Sequence, residues 1–152
     1  MELKKIASFQ VDHTTLERGM YTSRVDGDVV TYDIRFKRPN KGDYFTTGAA
    51  HTLEHLFATF ARSGEDSDRV IYVGPMGCRT GFYLLCRDMD PARAIALTQE
   101  ALAFIADYDG PIPGATEVEC GNYLDQDLPG ARAEAAEMAR VLDGWTPEKL
   151  AY

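Results

Sequence analysis

Two periodicities divide the chain. Residues 20–25 and 29–36 are rich in β-branched and aromatic side chains, and Asp26-Gly27-Asp28 between them is a hairpin signature. In the second run Val30, Tyr32, Ile34 and Phe36 share one face while Thr31, Asp33 and Arg35 share the other, so Arg35 points either to water or into a polar site. Pro39-Asn40-Lys41-Gly42 closes that strand with turn chemistry. Residues 49–62 are apolar on nearly every side and read as a largely buried helix, with Thr46 or Thr47 as its cap and Ser63-Gly64 as its stop. Glu65 to Asp68 reads as a solvated acidic loop, and residues 70–73 and 80–86 as two further strands around Gly74-Pro75-Met76-Gly77-Cys78. Asp90-Pro91 predicts a second helix running to about residue 107, with a broad stripe of Ile95, Leu97, Ala101, Leu102, Phe104 and Ile105. Gly110-Pro111-Ile112-Pro113-Gly114 ends it, and an alanine-rich helix follows over residues 129–142 before a short turn at Thr146-Pro147. Residues 1–20 show no clean period. Three helices with antiparallel hairpins, in place of alternating βαβ units, predict an α+β fold in a single domain over residues 1–152.

Composition narrows the function. With 45% hydrophobic and 11% aromatic residues the chain can bury a sizeable core. A net charge of −8 disfavours nucleic acid and anionic membranes as partners, because neither is attracted to an acidic surface. No apolar run is long enough to span a bilayer, and the start lacks the apolar core of a signal peptide, so a cytoplasmic protein with a small-molecule or protein-directed function is expected. An odd count of three cysteines fits reduced thiols, not a disulfide framework.

The candidate chemistry begins in the first helix. His51 and His55 stand one turn apart with Glu54 beside them, a spacing that lets two imidazoles reach one metal ion, in the order His-x-x-Glu-His of inverted zincins. Such a pentapeptide also arises as an incidental pair of histidines, so its surroundings decide. Burying two histidines and a glutamate in an apolar helix costs on the order of several kcal/mol unless something binds them, and a metal ion is the economical partner. Cys86 ends an apolar strand and reads as a small buried hydrophobe. Cys78 and Cys120 each adjoin a glycine in a turn or loop, where a thiol can approach a ligand closely. One of them would complete a His₂Cys set with an open fourth position, leaving the other as a catalytic acid or base; composition does not say which is which. His13, taken alone, reads as a solvated side chain near the N-terminus.

Several stretches together carry a family resemblance. Ser8-Phe9-x-x-Asp12-His13, Asp33-x-Arg35-Phe36-x-x-Pro39-Asn40-Lys41, His51-Thr52-Leu53-Glu54-His55-Leu56, Gly74-Pro75-Met76-Gly77-Cys78-Arg79-Thr80-Gly81 and Cys120-Gly121 resemble, in that order, the LuxS family of S-ribosylhomocysteine lyases. The resemblance implies a small α+β sandwich working as a homodimer with two active sites at the subunit interface. It implies that His51, His55 and Cys120 bind one divalent metal per chain, Fe(II) in the cell with Zn or Co able to replace it, and that Glu54 and Cys78 are the acid/base pair. Ser8, His13 and Arg35 match positions that hold sugar hydroxyls, with Ser8 and His13 reaching across from the partner subunit. The implied reaction is a metal-assisted pair of aldose–ketose isomerisations followed by β-elimination, giving homocysteine and 4,5-dihydroxy-2,3-pentanedione, the precursor of a bacterial signal. Three positions depart from the pattern. Lys37 stands where a cysteine is usual, and Tyr72 and Gly74 stand where Asp and Ser precede Pro-Met-Gly-Cys, near the amino-acid end of the substrate.

Two other classes fit part of the pattern. An inverted-zincin peptidase would use Glu54 to activate a metal-bound water, but it wants a carboxylate as third ligand and a peptide cleft that a domain of this size hardly accommodates. A protein with a purely structural metal would need neither Cys78 nor Glu54.

Overall fold

The hairpin expected around Gly27 forms between β1 (Gly19–Asp26) and β2 (Val29–Arg35), with Gly27 at φ +61 in the turn. The computed structural model describes residues Met1–Tyr152. Helix α1 spans Thr47–Ala61, β3 Val70–Pro75, β4 Gly81–Arg87, α2 Pro91–Asp107 and α3 Leu128–Val141, with single 3₁₀ turns at Ala7–Phe9, Ser67–Arg69 and Pro147–Leu150. Each helix starts at a side chain that satisfies an otherwise unpaired backbone N–H: Thr46 for Ala49, Asp90 for Ala92 and Asp127 for Gly130. Proline in the first turn of α2 and α3 adds a preset φ where no donor is lost. The expected α+β class is therefore what forms.

The four strands make one antiparallel sheet in the order β1-β2-β4-β3. One face carries Met20, Ile34, Phe82 and Leu84 into a core shared with Leu53, Leu56 and Phe57 of α1 and with Ile95, Leu102 and Ile105 of α2. Phe82 lies at the centre, its ring 5.6 Å from Phe36, 5.7 Å from Phe45 and 6.5 Å from Phe57. The polar face of β2 is buried as well: Asp33 and Arg35 are 2% and 3% exposed. Of the two fates open to Arg35, the fold selects a polar site.

The acidic loop after α1 is not simply solvated as expected. Asp66 is buried between Arg69 at 3.0 Å and Arg93 at 2.8 Å, because Arg93 at the start of α2 crosses back over the loop. Lys37, one of the departures, is buried too, its ammonium paired with Glu134 of α3 at 2.8 Å and Asp43 at 3.1 Å. A buried cation is tolerated there because two carboxylates meet it. No helix is long and apolar enough to cross a membrane.

Truncating the central aromatic should expose how much the fold leans on it. Phe82→Ala is expected to lower unfolding free energy by about 3–5 kcal/mol, read from urea denaturation.

Candidate metal and substrate site

The side chains of His51 and His55 leave α1 on one face, and loops from two other places in the chain orient them. Pro113 O lies 2.7 Å from His55 Nδ1, and Asp125 O lies 2.8 Å from His51 Nδ1. A carbonyl oxygen only accepts, so both Nδ1 atoms carry the hydrogen and both Nε2 atoms keep their lone pairs. Those lone pairs face Cys120, whose Sγ is 3.4 Å from His51 Nε2 and 4.0 Å from His55 Nε2. The three ligand atoms all fall within 4.8 Å of one another. A tetrahedral ion with bonds of about 2.0–2.3 Å would hold nitrogen and sulfur about 3.5 Å apart, so the spacing, the tautomers and the donor set all suit a divalent metal.

The sequence builds this arrangement locally. Gly114, at φ +70, turns the chain so that Pro113 presents its carbonyl, and a Cβ there would lie 3.2 Å from His55 Nδ1. The hydroxyl of Thr52 in α1 donates to Gln126 Oε1 at 2.7 Å and accepts from Asp127 N at 2.9 Å, which pins the segment carrying the Asp125 carbonyl. Cys120 ends a turn in which its own N–H and that of Glu119 bond the Thr116 carbonyl. Glu54 and His55 line a cavity of about 440 Å³ with Arg62, Tyr72 and Gly114.

A second cavity, of about 530 Å³, collects Ser8, His13, Arg35 and Cys78 together with Asn40, Thr80 and Tyr83. It shares no lining residue with the first. Register explains how Arg35 fits: its neighbours across both adjoining strands are glycines, Gly19 and Gly81, so the long side chain lies along the sheet without meeting another. Asp33 holds it with two bonds, 3.1 Å to Nε and 2.7 Å to Nη2, and the Tyr152 hydroxyl donates to the same carboxylate at 2.7 Å. Burial opposes the charge on Arg35, but the bonds to Asp33 outweigh it and hold the guanidinium above its ordinary range. Burial and the Asp33 carboxylate push Tyr152 upward in turn. The remaining guanidinium nitrogen, Nη1, donates to Thr80 Oγ1 at 2.8 Å and stands 4.0 Å from Cys78 Sγ, while Thr80 Oγ1 is 3.1 Å from that sulfur. His13 is half-buried with Nδ1 bonded to the Val11 carbonyl at 2.8 Å, which leaves Nε2 free.

The residues singled out from sequence thus fall into two groups on one chain: His51, Glu54, His55 and Cys120 on α1 and its covering loops, and Ser8, His13, Arg35 and Cys78 on the opposite side of the sheet. Cys86 belongs to neither; it is 1% exposed, and burial pushes its thiol up to about 12. Sequence reasoning missed the roles of Asp33, Thr80 and Tyr152; only pairing across strands brings Thr80 to Arg35, and only the path of the chain after α3 brings Tyr152 to Asp33. Asp33 alone had a legible signal, an acid two residues from Arg35 on the same strand face. The departures Tyr72 and Gly74 prove to be one feature. They sit two apart on β3, and a Cβ at Gly74 would fall within 2.1 Å of the Tyr72 hydroxyl, so the tyrosine ring occupies the space that a side chain at Gly74 would need.

Loss of the carbonyl that fixes His55 should loosen the metal set before it unfolds anything. Gly114→Ala is expected to weaken metal retention about 10–100-fold, read by competition with a chromophoric chelator.

Comparison with known proteins agrees with this geometry. Residues 6–149 match the family described as S-ribosylhomocysteinase (LuxS). A relative from Clostridium acetobutylicum named S-ribosylhomocysteine lyase is 46% identical over 156 residues, covering 99% of each chain. One of the same name from Desulfotalea psychrophila is 46% identical over 157 residues, again covering 99% of each. One from Borreliella burgdorferi, also so named, is 40% identical over 156 residues and 99% of each chain. Likeness of this extent runs through both groups of site residues and the sheet between them, and the chain belongs to the S-ribosylhomocysteinase (LuxS) family.

Proposed function

We propose that this chain is an S-ribosylhomocysteine lyase that cleaves its substrate to homocysteine and 4,5-dihydroxy-2,3-pentanedione, and that it does so in the cytoplasm. The observation that carries this is the convergence of His51 Nε2, His55 Nε2 and Cys120 Sγ, with both imidazole tautomers set by carbonyls, in a family whose relatives bear that name. These three residues hold one divalent metal per chain. A His₂Cys set suits Fe(II), Zn(II) and Co(II) alike, and Fe(II) is the ion we assign in the cell, by family resemblance. When bound, the metal supplies Lewis acidity to the substrate's carbonyl and the hydroxyl beside it.

The chain's own residues do the rest. Arg35, Ser8 and His13 orient the sugar through its hydroxyls. Cys78 takes the proton from C2 and returns it to C1, which moves the carbonyl from C1 to C2; Glu54 carries the matching proton between the two oxygens. The same exchange one carbon further brings the carbonyl to C3. Removal of the C4 proton then forms the C4–C5 double bond while the C5–S bond breaks, and the sulfur leaves with the electron pair and takes up a proton as homocysteine; the enol left at C4 loses its hydroxyl proton and gains one at C5, which gives 4,5-dihydroxy-2,3-pentanedione.

Cys78 and Glu54 must reach one substrate, yet in a single chain they line separate cavities on opposite sides of a sheet. The proposed solution is a homodimer in which the Cys78 cavity of one chain meets the Glu54 and metal group of the other. Exposed apolar side chains support it at both places: Leu3, Ile6 and Phe9 beside Ser8, and Val118 and Leu124 on either side of Cys120.

Two measurements test this. Metal-loaded wild-type protein should release free thiol from S-ribosylhomocysteine, seen with a colorimetric thiol reagent, and Cys78→Ser should release none with its metal intact; no release from protein holding one metal per chain would defeat the lyase assignment. A purified heterodimer of one Cys78→Ser chain and one Glu54→Gln chain should show about half of wild-type activity, because one of its two sites keeps both residues. An inactive heterodimer would mean that Cys78 and Glu54 act from the same chain.

A further inference from the structure

We propose that Thr80 is the positioning residue that holds the Cys78 sulfur as a hydrogen-bond acceptor, ready to take a proton; this rests on the assignment of Cys78 as the proton carrier. The argument is a count of hydrogens. Arg35 has no acceptor, so its 2.8 Å contact with Thr80 Oγ1 runs from Nη1 to oxygen. The Thr80 hydroxyl is left with one hydrogen to give, and Cys78 Sγ at 3.1 Å is the acceptor beside it. A bond in the other direction, from thiol to hydroxyl, would leave that hydrogen unpaired in a residue 2% exposed.

The neighbours remove the freedom that would let this pattern relax. Arg35 cannot swing toward the sulfur, because Asp33 takes Nε and Nη2 and is itself held by Tyr152. At 4.0 Å, Nη1 is too far to replace the hydroxyl as a close donor, and its charge is already matched by Asp33. Thr80 is also fixed by its backbone, whose carbonyl accepts from Phe36 N at 3.0 Å and Lys37 N at 2.9 Å. Cys78, by contrast, is exposed in a turn between Gly77 and Arg79, the latter at φ +61. The buried threonine supplies the order that the exposed cysteine lacks.

The test compares Thr80→Val, which removes the hydroxyl at constant shape, with Thr80→Ser, which keeps it, in metal-loaded protein. Alkylation of Cys78 by iodoacetamide at neutral pH is followed on its own peptide by mass spectrometry, beside kcat and KM for thiol release. Thr80→Val is expected to slow alkylation and kcat about tenfold each with KM within about twofold, and Thr80→Ser to return both close to wild type. Thr80→Ala, which removes the hydroxyl without a branched replacement, should behave as Thr80→Val. Wild-type alkylation in Thr80→Val, a Thr80→Ser protein as slow as Thr80→Val, or a change in KM alone would each overturn the proposal, the last by assigning Thr80 to Arg35 instead. Failure of the underlying assignment looks different: Cys78→Ser would still release thiol, whatever the alkylation rates.

Discussion

Two carbonyl oxygens determine what the first helix can do. Histidine offers a lone pair from either ring nitrogen, and an i, i+4 pair on a helix without further contacts would sample tautomers and ring angles freely. Here Pro113 O and Asp125 O bind the Nδ1 hydrogens of His55 and His51, so only the Nε2 lone pairs remain, and both face Cys120. The carbonyls come from segments 58 and 74 residues away along the chain, and a left-handed glycine and a threonine hydroxyl hold those segments in place. The geometry of this candidate metal set thus depends on ordinary backbone groups whose positions are fixed by the fold, and side-chain identity alone would not give it.

The sheet imposes the second constraint. Its apolar face must be covered by α1 and α2, which ties the helix bearing His51, Glu54 and His55 to that side. Its other face is built around a buried ion pair, Asp33 with Arg35, set among the glycines that give Arg35 room. Burying this pair gains little stability by itself, since desolvation offsets most of the attraction. Its use is directional: with two of its nitrogens engaged, the guanidinium has one orientation, and the network of Thr80 and Cys78 is ordered from it. The candidate metal ligands and the Arg35 network therefore line two separate cavities of one chain.

The pairing of Tyr72 with Gly74 shows how departures from a family pattern can be one change and not two. A tyrosine on β3 fits only if the residue two further along has no side chain, since both project from the same face. Lys37 follows the same logic elsewhere, for its ammonium is buried in company with Glu134 and Asp43.

Much was legible in the sequence because it depends on local chemistry. The strands and their faces follow from alternation around Gly27, and the starts of the first two helices follow from a threonine at 46 or 47 and from Asp90 as caps. The spacing of His51 and His55 follows from one turn of helix, and the five motifs were enough to identify the family, whose resemblance pointed to Cys120, the thiol that the fold brings beside both imidazoles. What the sequence could not reveal is long-range by nature. Asp66 reads as a solvated acid until Arg93 folds over it, and Thr80 and Tyr152 have no local signature at all. The tertiary structure decided that Glu54 and Cys78 line separate cavities, because which strand faces meet helices is settled by packing the whole core, and no stretch of sequence contains both sides of the sheet.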